Sequence, residues 1–149
     1  MDYELAEKLT IQLCIKYEGV YLRPYLCPAG IPTIGVGATF YEDGTKVKLT
    51  DQPITMRRAE SLLRKTIKEV FMPGVVFLCP SIDTPHRLAA ITDFAFNLGL
   101  NALKNSTLRK KINSGDWSSA KKEILKWNKA NGKELEGLKK RRLAESLMM

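Results

Sequence analysis

The hydrophobic positions near the N-terminus repeat with the period of an α-helix. Six apolar side chains fall on one face at helical spacing, namely Leu5, Leu9, Ile11, Leu13, Ile15 and Tyr17. A stripe of this width is typical of a helix that packs one side against a core. Gly19 follows it, and glycine commonly ends helices. The pattern therefore predicts a helix over residues 3–17.

The pattern changes over residues 22–49, where glycine and proline become too frequent for a helix. A β-prone run, Thr33–Val36, lies between these interruptions. Glu42–Gly44 has the composition of a tight turn, and apolar and polar residues alternate after it over Lys46–Leu49. The segment predicts a small antiparallel sheet with tight turns.

Helical periodicity returns after residue 55 and continues to the C-terminus. The predicted helices cover residues 56–71 after the N-cap Thr55, residues 85–98 between Thr84 and Gly99, two segments that begin at the N-caps Ser106 and Asp116, and a basic segment at 138–148. We expect Pro73–Gly74 to end or kink the first of these.

These elements predict an α+β fold in one domain, residues 1–149. We expect a sheet lobe at about 14–55, a mostly helical lobe at about 72–149 together with helix 1–13, and a long helix that joins them. A cleft between two lobes is a natural place for an extended substrate.

Charge is distributed unevenly along the chain, whose net charge is +8. Residues 1–100 contain eleven basic and eleven acidic side chains, whereas residues 101–149 contain thirteen and five. Such a basic field attracts a polyanion: nucleic acid, an anionic membrane or an acidic wall polymer. Because no nucleic-acid-binding motif accompanies the charge, we expect no nucleic-acid partner.

Cysteine and histidine are few. The odd count of three cysteines, without close pairs, indicates free thiols, and we expect Cys14 and Cys79 to be structural. No spacing suggests a metal site, and His86 is the single histidine. We therefore expect no metal and no cofactor.

No secretion signal is recognisable in the sequence. Met1–Glu4 lacks the basic start of a signal peptide, and no run of about 18 apolar residues is present. We expect a monomer that accumulates in the host cytoplasm until it is released to the periplasm and wall.

Glu18, Cys27 and Thr33 form a spaced set, with eight residues between the first two and five between the last two. Gly35-Val36-Gly37 follows, and Phe94–Gly99, Asn105–Leu108 and Arg141-Arg142 come later. The set resembles the phage-type lysozymes, glycoside hydrolase family 24, over essentially the whole chain.

The resemblance implies a muramidase that hydrolyses the β-1,4 bond between N-acetylmuramic acid and N-acetylglucosamine in peptidoglycan. It implies that Glu18 is the general acid, and that Cys27 and Thr33 place or activate water. Glycosidases need such an acid to protonate the leaving oxygen. It also implies that Phe96, Asn97 and Thr107 line the sugar-binding cleft, that Arg141 or Arg142 pairs with Glu18, and that a holin-type membrane partner permits export.

Two positions depart from the commoner family pattern. Cys27 stands where aspartate is usual, and Ala38 stands where many relatives have histidine. A thiolate at Cys27 acts as base or nucleophile only if its pKa is lowered. The stereochemical outcome therefore stays open.

Three rival functions remain at this point. A lytic transglycosylase cuts the same bond but leaves an anhydro sugar. A wall-binding protein without turnover is compatible with Cys27. A membrane-active basic protein is compatible with the cationic, leucine-containing segment Leu138–Met149.

Overall fold

The computed structural model describes all 149 residues as eight α-helices, one π-helical segment and four short β-strands. In chain order these are α1 (Tyr3–Glu18), β1 (Tyr21–Leu26), β2 (Pro32–Gly35), α2 (Met56–Thr66), the π segment (Ile67–Phe71), α3 (Met72–Leu78), α4 (Pro85–Leu98), α5 (Leu100–Lys104), α6 (Thr107–Asn113), α7 (Trp117–Leu125), β3 (Lys129–Ala130), β4 (Lys133–Glu134) and α8 (Glu136–Leu147). The predicted α+β composition is confirmed.

Helix α1 begins and ends at local signals. The Asp2 side chain accepts a hydrogen bond from the backbone N–H of Leu5 at 2.9 Å, which caps the first turn. Gly19 has a φ of +76°, a conformation that favours glycine, and it ends the helix. The helix runs one residue beyond the predicted end, so Glu18 is its last residue.

Strands β1 and β2 form the small antiparallel sheet that the sequence predicts. Tyr21 pairs with Gly35 and Tyr25 with Thr33, and the register shifts between these two pairs. The chain then returns through isolated bridges, Ile34 with Ala38 and Phe40 with Lys46. The predicted turn is present, because Asp43 accepts the backbone N–H of Thr45 at 3.0 Å.

The helix predicted over 56–71 was expected to end or kink at Pro73–Gly74, and the first alternative is wrong, because the helix does not end there. The helical path continues through the π segment and α3 to Leu78. Proline lacks an N–H and its ring crowds the carbonyl four residues back, so an ordinary α-helical turn is unfavourable there. The turn widens just before it: Met72 donates its N–H to the carbonyl of Ile67, five residues earlier.

Close helix packing explains why glycine occupies position 74. A Cβ placed there would lie 2.7 Å from a methyl carbon of Leu100, at the start of α5. Helix α5 itself was not predicted, and neither were α3 and the β3–β4 hairpin. The five- and seven-residue helices are too short to show a clear helical repeat.

The core consists of two apolar clusters. The larger contains side chains of α1, α3, α4 and the C-terminal helices, among them Leu88, Phe94 and Ile124. The smaller lies under the sheet and includes Ile34 and Val47. Helix α2 contributes Leu62 to the smaller cluster and Leu63 to the larger one. The helical path α2–α3 therefore joins the two.

Helix α8 closes the helical region. Its inner face buries Arg141, Arg142 and Glu145, and its outer face exposes Leu143 and Leu147. No helix of the protein is both long and apolar enough to cross a membrane.

Candidate active site

Glu18 lies at the C-terminal end of α1, at the wall of a cavity between the sheet and the helices. The cavity has a volume of about 470 Å³ and is lined by Glu18, Gly37, Ala38, Thr39, Phe40, Thr66, Phe71, Phe96 and Asn97. The Glu18 side chain is 29% exposed, so it reaches the cavity while remaining partly shielded from water. This volume is within the range of small-ligand sites in proteins.

The buried Arg141 forms a hydrogen-bonded ion pair with Glu18. Its Nη1 donates a hydrogen bond to the Glu18 carboxylate, while its Nε and Nη2 donate to Asp93 at 2.9 and 2.8 Å. Burial disfavours the charge on Arg141, but the bonds to Asp93 and Glu18 outweigh this effect and raise the pKa of Arg141. The sequence left open which arginine pairs with Glu18, and the structure identifies Arg141.

Asp93 completes this buried group. It is fully buried, and besides the two bonds from Arg141 it accepts the thiol of Cys14 at 3.4 Å. Burial, with the charge of Asp93, raises the pKa of the Cys14 thiol. Cys14 is therefore a neutral donor in the core, as the structural prediction for it implied.

Asn97 faces the cavity from the end of α4 and is oriented by Arg142. Arg142 Nη2 donates to Asn97 Oδ1 at 2.8 Å and lies 2.7 Å from Glu145 Oε1. A guanidinium only donates hydrogen bonds, so the Asn97 atom beside it must be the oxygen. The Asn97 amide nitrogen, with its two donors, is thereby left free for the cavity.

Cys27 and Thr33 lie near the paired ends of β1 and β2. The backbone N–H of Ile31 stabilises the Cys27 thiolate most strongly, and with the N–H of Ala29 and the Thr33 hydroxyl it lowers the pKa of Cys27 against opposing desolvation. Thr33 is buried, and its hydroxyl donates to the carbonyl of Ile31 at 2.8 Å. The structure thus brings Cys27 and Thr33 together.

Tyr25 interacts electrostatically with both Cys27 and Glu18. It stands opposite Thr33 in the sheet register and stacks on Tyr21, with ring centroids 4.3 Å apart. Desolvation raises the pKa of Tyr25, and the charges of Tyr21, Glu18 and Cys27 add to this rise. Its phenol therefore lies within electrostatic range of both Glu18 and Cys27.

The structure brings together some of the predicted substrate-binding residues. Phe96 and Asn97 line the cavity with Glu18, and the Phe96 ring packs edge-on against Phe71 at 5.2 Å. Thr107 is exposed at the first position of α6 and does not line this cavity. Its role in sugar binding stays a prediction.

Several residues of the site escaped the sequence analysis. They are Asp93, Glu145, Tyr25, Thr39, Phe40 and Thr66. Only Asp93 carries a local signal, as the single acidic residue within the apolar stripe of α4, Leu88–Ala95. A charged residue in such a stripe needs a buried partner.

The remaining candidates have structural surroundings. Trp127 packs edge-on against Phe94 at 5.4 Å and so adjoins the larger core cluster, and His86 is exposed. Cys79 is buried, and burial raises its pKa to about 11. No three His, Cys, Asp or Glu side chains are grouped so that they could hold a metal ion.

Comparisons with known proteins agree with this geometry. The sequence profile of the family described as Phage lysozyme matches residues 15–145. The endolysin of Acyrthosiphon pisum secondary endosymbiont phage 1 is 40% identical over 151 residues, which cover 97% of this chain and 96% of that protein. The endolysin of Bacillus phage B103 is 45% identical over 94 residues, 63% of this chain but 35% of that longer relative.

The fold is similar to solved structures as well. The endolysin from Escherichia coli O157:H7 phage FAHEc1 superposes with a TM-score of 0.83 at 29% identity, over 95% of this chain and 90% of that one. The lysozyme-like fold expected from the sequence is therefore confirmed.

Proposed function

Because the chain belongs to the phage lysozyme family and is a glycoside hydrolase that degrades peptidoglycan, we propose that Glu18 is its general acid. In this proposal Glu18 protonates the bridging oxygen between N-acetylmuramic acid and N-acetylglucosamine. One observation carries it: the Glu18 carboxyl lines the cavity between sheet and helices and is held there by a buried arginine. The proton transfer needs such a carboxyl within reach of the leaving oxygen.

The Arg141–Asp93 pair places a cation beside Glu18 whose charge is already compensated in the core. Asp93 accepts two hydrogen bonds from Arg141. The remaining guanidinium nitrogen holds the Glu18 carboxyl at the cavity wall, which also includes the apolar rings of Phe96 and Phe71.

Cys27 and Thr33 are proposed to position and activate the attacking water. As the bond from the anomeric carbon to the leaving oxygen breaks, its electron pair goes to that oxygen, which takes the proton of Glu18. Water then forms the new bond to the anomeric carbon, and the Cys27 thiolate takes a proton from it. The lowered pKa of Cys27 supports the thiolate form.

Thr33 supports the Cys27 thiolate and the water. Its hydroxyl donates a hydrogen bond either to the carbonyl of Ile31 or to the Cys27 sulfur. In both cases the hydroxyl oxygen can accept a hydrogen bond from water. A base at Cys27 gives inversion at the anomeric carbon, whereas direct attack by sulfur gives retention. The anomer released first, observed by NMR, distinguishes these two roles.

Access to the wall is a further part of the proposal. We propose that a holin-type partner makes the membrane lesion through which the enzyme is released, as the resemblance to phage-type lysozymes implies. The net charge of +8 supports attraction to an anionic wall. Expression in Escherichia coli with and without a co-expressed holin tests this. Lysis that requires the holin supports the proposal, and equal lysis without it contradicts the proposal.

Clearing of permeabilised Gram-negative cells tests the catalytic assignment. Glu18→Gln keeps the shape and removes the acid, so it should lower the rate by about 10²–10⁴-fold. Glu4→Gln, on the exposed first turn of α1, is the matched control and should clear like wild type. Cys27→Asp, the usual family residue, should remain active, whereas Cys27→Ser should lose most activity.

Two results would contradict this assignment. Clearing by Glu18→Gln at the wild-type rate would remove the general acid from the mechanism. Products that lack one water by mass spectrometry would identify an anhydro sugar, and thus a lytic transglycosylase instead of a hydrolase. Circular dichroism and thermal unfolding of each variant separate lost chemistry from lost folding.

A further inference from the structure

A second concave surface adjoins the active-site cavity on the sheet side. This side groove is lined by Gly30, Ile31, Pro32, Thr39, Phe40, Lys46 and Val47, with a volume of about 390 Å³. It shares Thr39 and Phe40 with the cavity that contains Glu18. A polymer that enters the cavity can therefore continue into the groove without leaving the protein surface.

Phe40 and Lys46 define the chemistry of the side groove. They form a cross-strand bridge, so their side chains lie on the same face of the ribbon. Phe40 is 50% exposed, a large apolar surface suited to the apolar face of a sugar ring. Lys46 is the single charged residue among the groove residues.

The charge of Lys46 is uncompensated within the protein. Elsewhere in this lobe Arg58 pairs with Glu42 at 3.1 Å, and Lys65 donates to the Glu42 carbonyl at 2.9 Å. Lys46 has no carboxylate within 4 Å and no hydrogen-bond acceptor. An apolar groove with one free cation is complementary to a ligand that combines a sugar ring with an anionic group.

We propose that the side groove binds the carboxylate-bearing substituent of a muramoyl unit, with Phe40 against the glycan and Lys46 on the carboxylate. This inference rests on the proposed function, since the glycan must occupy the neighbouring cavity. Because muramoyl units alternate with N-acetylglucosamine, one muramoyl unit adjoins the scissile bond on one side and another lies one sugar away from it on the other side. Lys46 thus selects bacterial wall glycan over uncharged polymers of N-acetylglucosamine.

The carboxylate has two possible sources, the lactyl group itself in peptide-free glycan and the stem peptide in peptide-bearing glycan. Three ligands separate them: an N-acetylglucosamine hexamer, a peptide-free alternating glycan and a peptide-bearing one. Calorimetric titration of each into the Glu18→Gln variant measures binding without consuming the ligand. Lys46→Gln is added to that background to remove the charge.

We expect Lys46→Gln to weaken the binding of one or both carboxylate-bearing glycans by about fivefold, since a partly exposed ion pair contributes little more to the binding free energy. The effect should shrink at high salt, and the hexamer should bind unchanged. Phe40→Ala should weaken the binding of all three ligands. Lys48→Gln is the matched control, because Lys48 is also exposed and lies two residues away but does not line the groove.

The assignment of Lys46 is overturned if Lys46→Gln lowers the affinity for all three ligands equally. It is also overturned if the affinity falls no more than it does in Lys48→Gln. This failure is distinguishable from failure of the proposed function. If wild type clears cells and Glu18→Gln does not, while Lys46→Gln does not selectively weaken the binding of carboxylate-bearing glycans, the general acid stands and the side groove alone is rejected. Cleaved ligand in the Glu18→Gln titration would instead reject the general acid.

Discussion

Arg141 and Asp93 form a buried, two-pronged ion pair, with Nε and Nη2 of the arginine donating to the carboxylate at 2.9 and 2.8 Å. The remaining nitrogen of the same guanidinium holds Glu18. One arginine thus joins the core to the cavity wall. Arg141 therefore orients Glu18 while Asp93 compensates its charge within the core.

Asp93→Asn should therefore affect both stability and catalysis. It removes the counter-charge of a buried arginine, which should lower the free energy of unfolding by about 3 kcal/mol. Asparagine keeps one acceptor oxygen but loses the second, so the guanidinium that holds Glu18 would be less well fixed and the clearing rate should fall. Urea unfolding and cell clearing measure these two effects.

Asp83→Asn is the control for this substitution. Asp83 pairs with Arg87 at 2.9 Å, but its side chain is 62% exposed. The free energy of unfolding should therefore fall by no more than about 0.5 kcal/mol. A wild-type clearing rate in Asp93→Asn would show that Asp93 does not influence Glu18.

Cys27 should be the reactive thiol of the protein. Hydrogen bonds from the Ile31 and Ala29 N–H groups lower its pKa, whereas burial raises the pKa of Cys14 and of Cys79. Since the thiolate is the reactive species, iodoacetamide at pH 7 should modify Cys27 first. Peptide mass spectrometry across pH 6–10 measures the rate at each cysteine.

Thr33→Val should slow this alkylation modestly near neutral pH, because it removes one donor to the thiolate but leaves the stronger Ile31 N–H. Thr33→Ser keeps the hydroxyl and should behave like wild type. Alkylation of Cys27 with the pH dependence of an ordinary free cysteine would refute the lowered pKa.

Asn97→Asp should weaken substrate binding while it preserves the contact with Arg142. An aspartate oxygen still accepts the 2.8 Å bond from Arg142, but the two N–H donors toward the cavity are lost. We expect KM to rise by roughly fivefold to tenfold, the worth of about one hydrogen bond. Steady-state kinetics on soluble glycan measure it.

The control is Asn101→Asp on the exposed surface of α5. It introduces the same charge change away from the cavity and should leave KM as in wild type. If both variants bind substrate as well as wild type does, the Asn97 amide is not a ligand of the sugar.

Glu145 should make stability depend on pH. Burial raises the pKa of Glu145 well above the ordinary glutamate range, although Arg142 opposes this shift. A carboxyl with a raised folded-state pKa favours folding below its unfolded pKa, and this contribution is lost as pH rises. Glu145→Gln does not titrate, so the stability of wild type relative to this variant should fall between pH 4 and pH 8.

Urea unfolding at pH 4, 6 and 8 measures this difference. Glu136→Gln, on the exposed first turn of the same helix, should show no comparable pH dependence relative to wild type. A constant difference between wild type and Glu145→Gln would mean that Glu145 titrates alike in the folded and unfolded states.

Local signals in the sequence determined most of the secondary structure. Thr55, Thr84, Ser106 and Asp116 cap helices, and Gly19 and Gly99 end them, as expected. These effects act within one helical turn, so they can be read without the fold. Where the predictions failed, a longer-range cause overrode the local one: the helix passes Pro73 because Val75 and Leu78 pack into the core.

The sequence also determined the family, through the spacing of Glu18, Cys27 and Thr33 and the motifs that follow. The resemblance narrowed the partner of Glu18 to Arg141 or Arg142 but did not determine which of them it is, nor that Asp93 supports it. Arg141 lies 123 residues from Glu18 and 48 from Asp93, and nothing in the local sequence relates positions so far apart. The packing of α1, α4 and α8 decides that Arg141 meets Glu18 and that Arg142 orients Asn97, whereas the bridge between Phe40 and Lys46 after β2 places these two side chains beside the cavity. A buried charge must find its partner in three dimensions, and only tertiary packing supplies one.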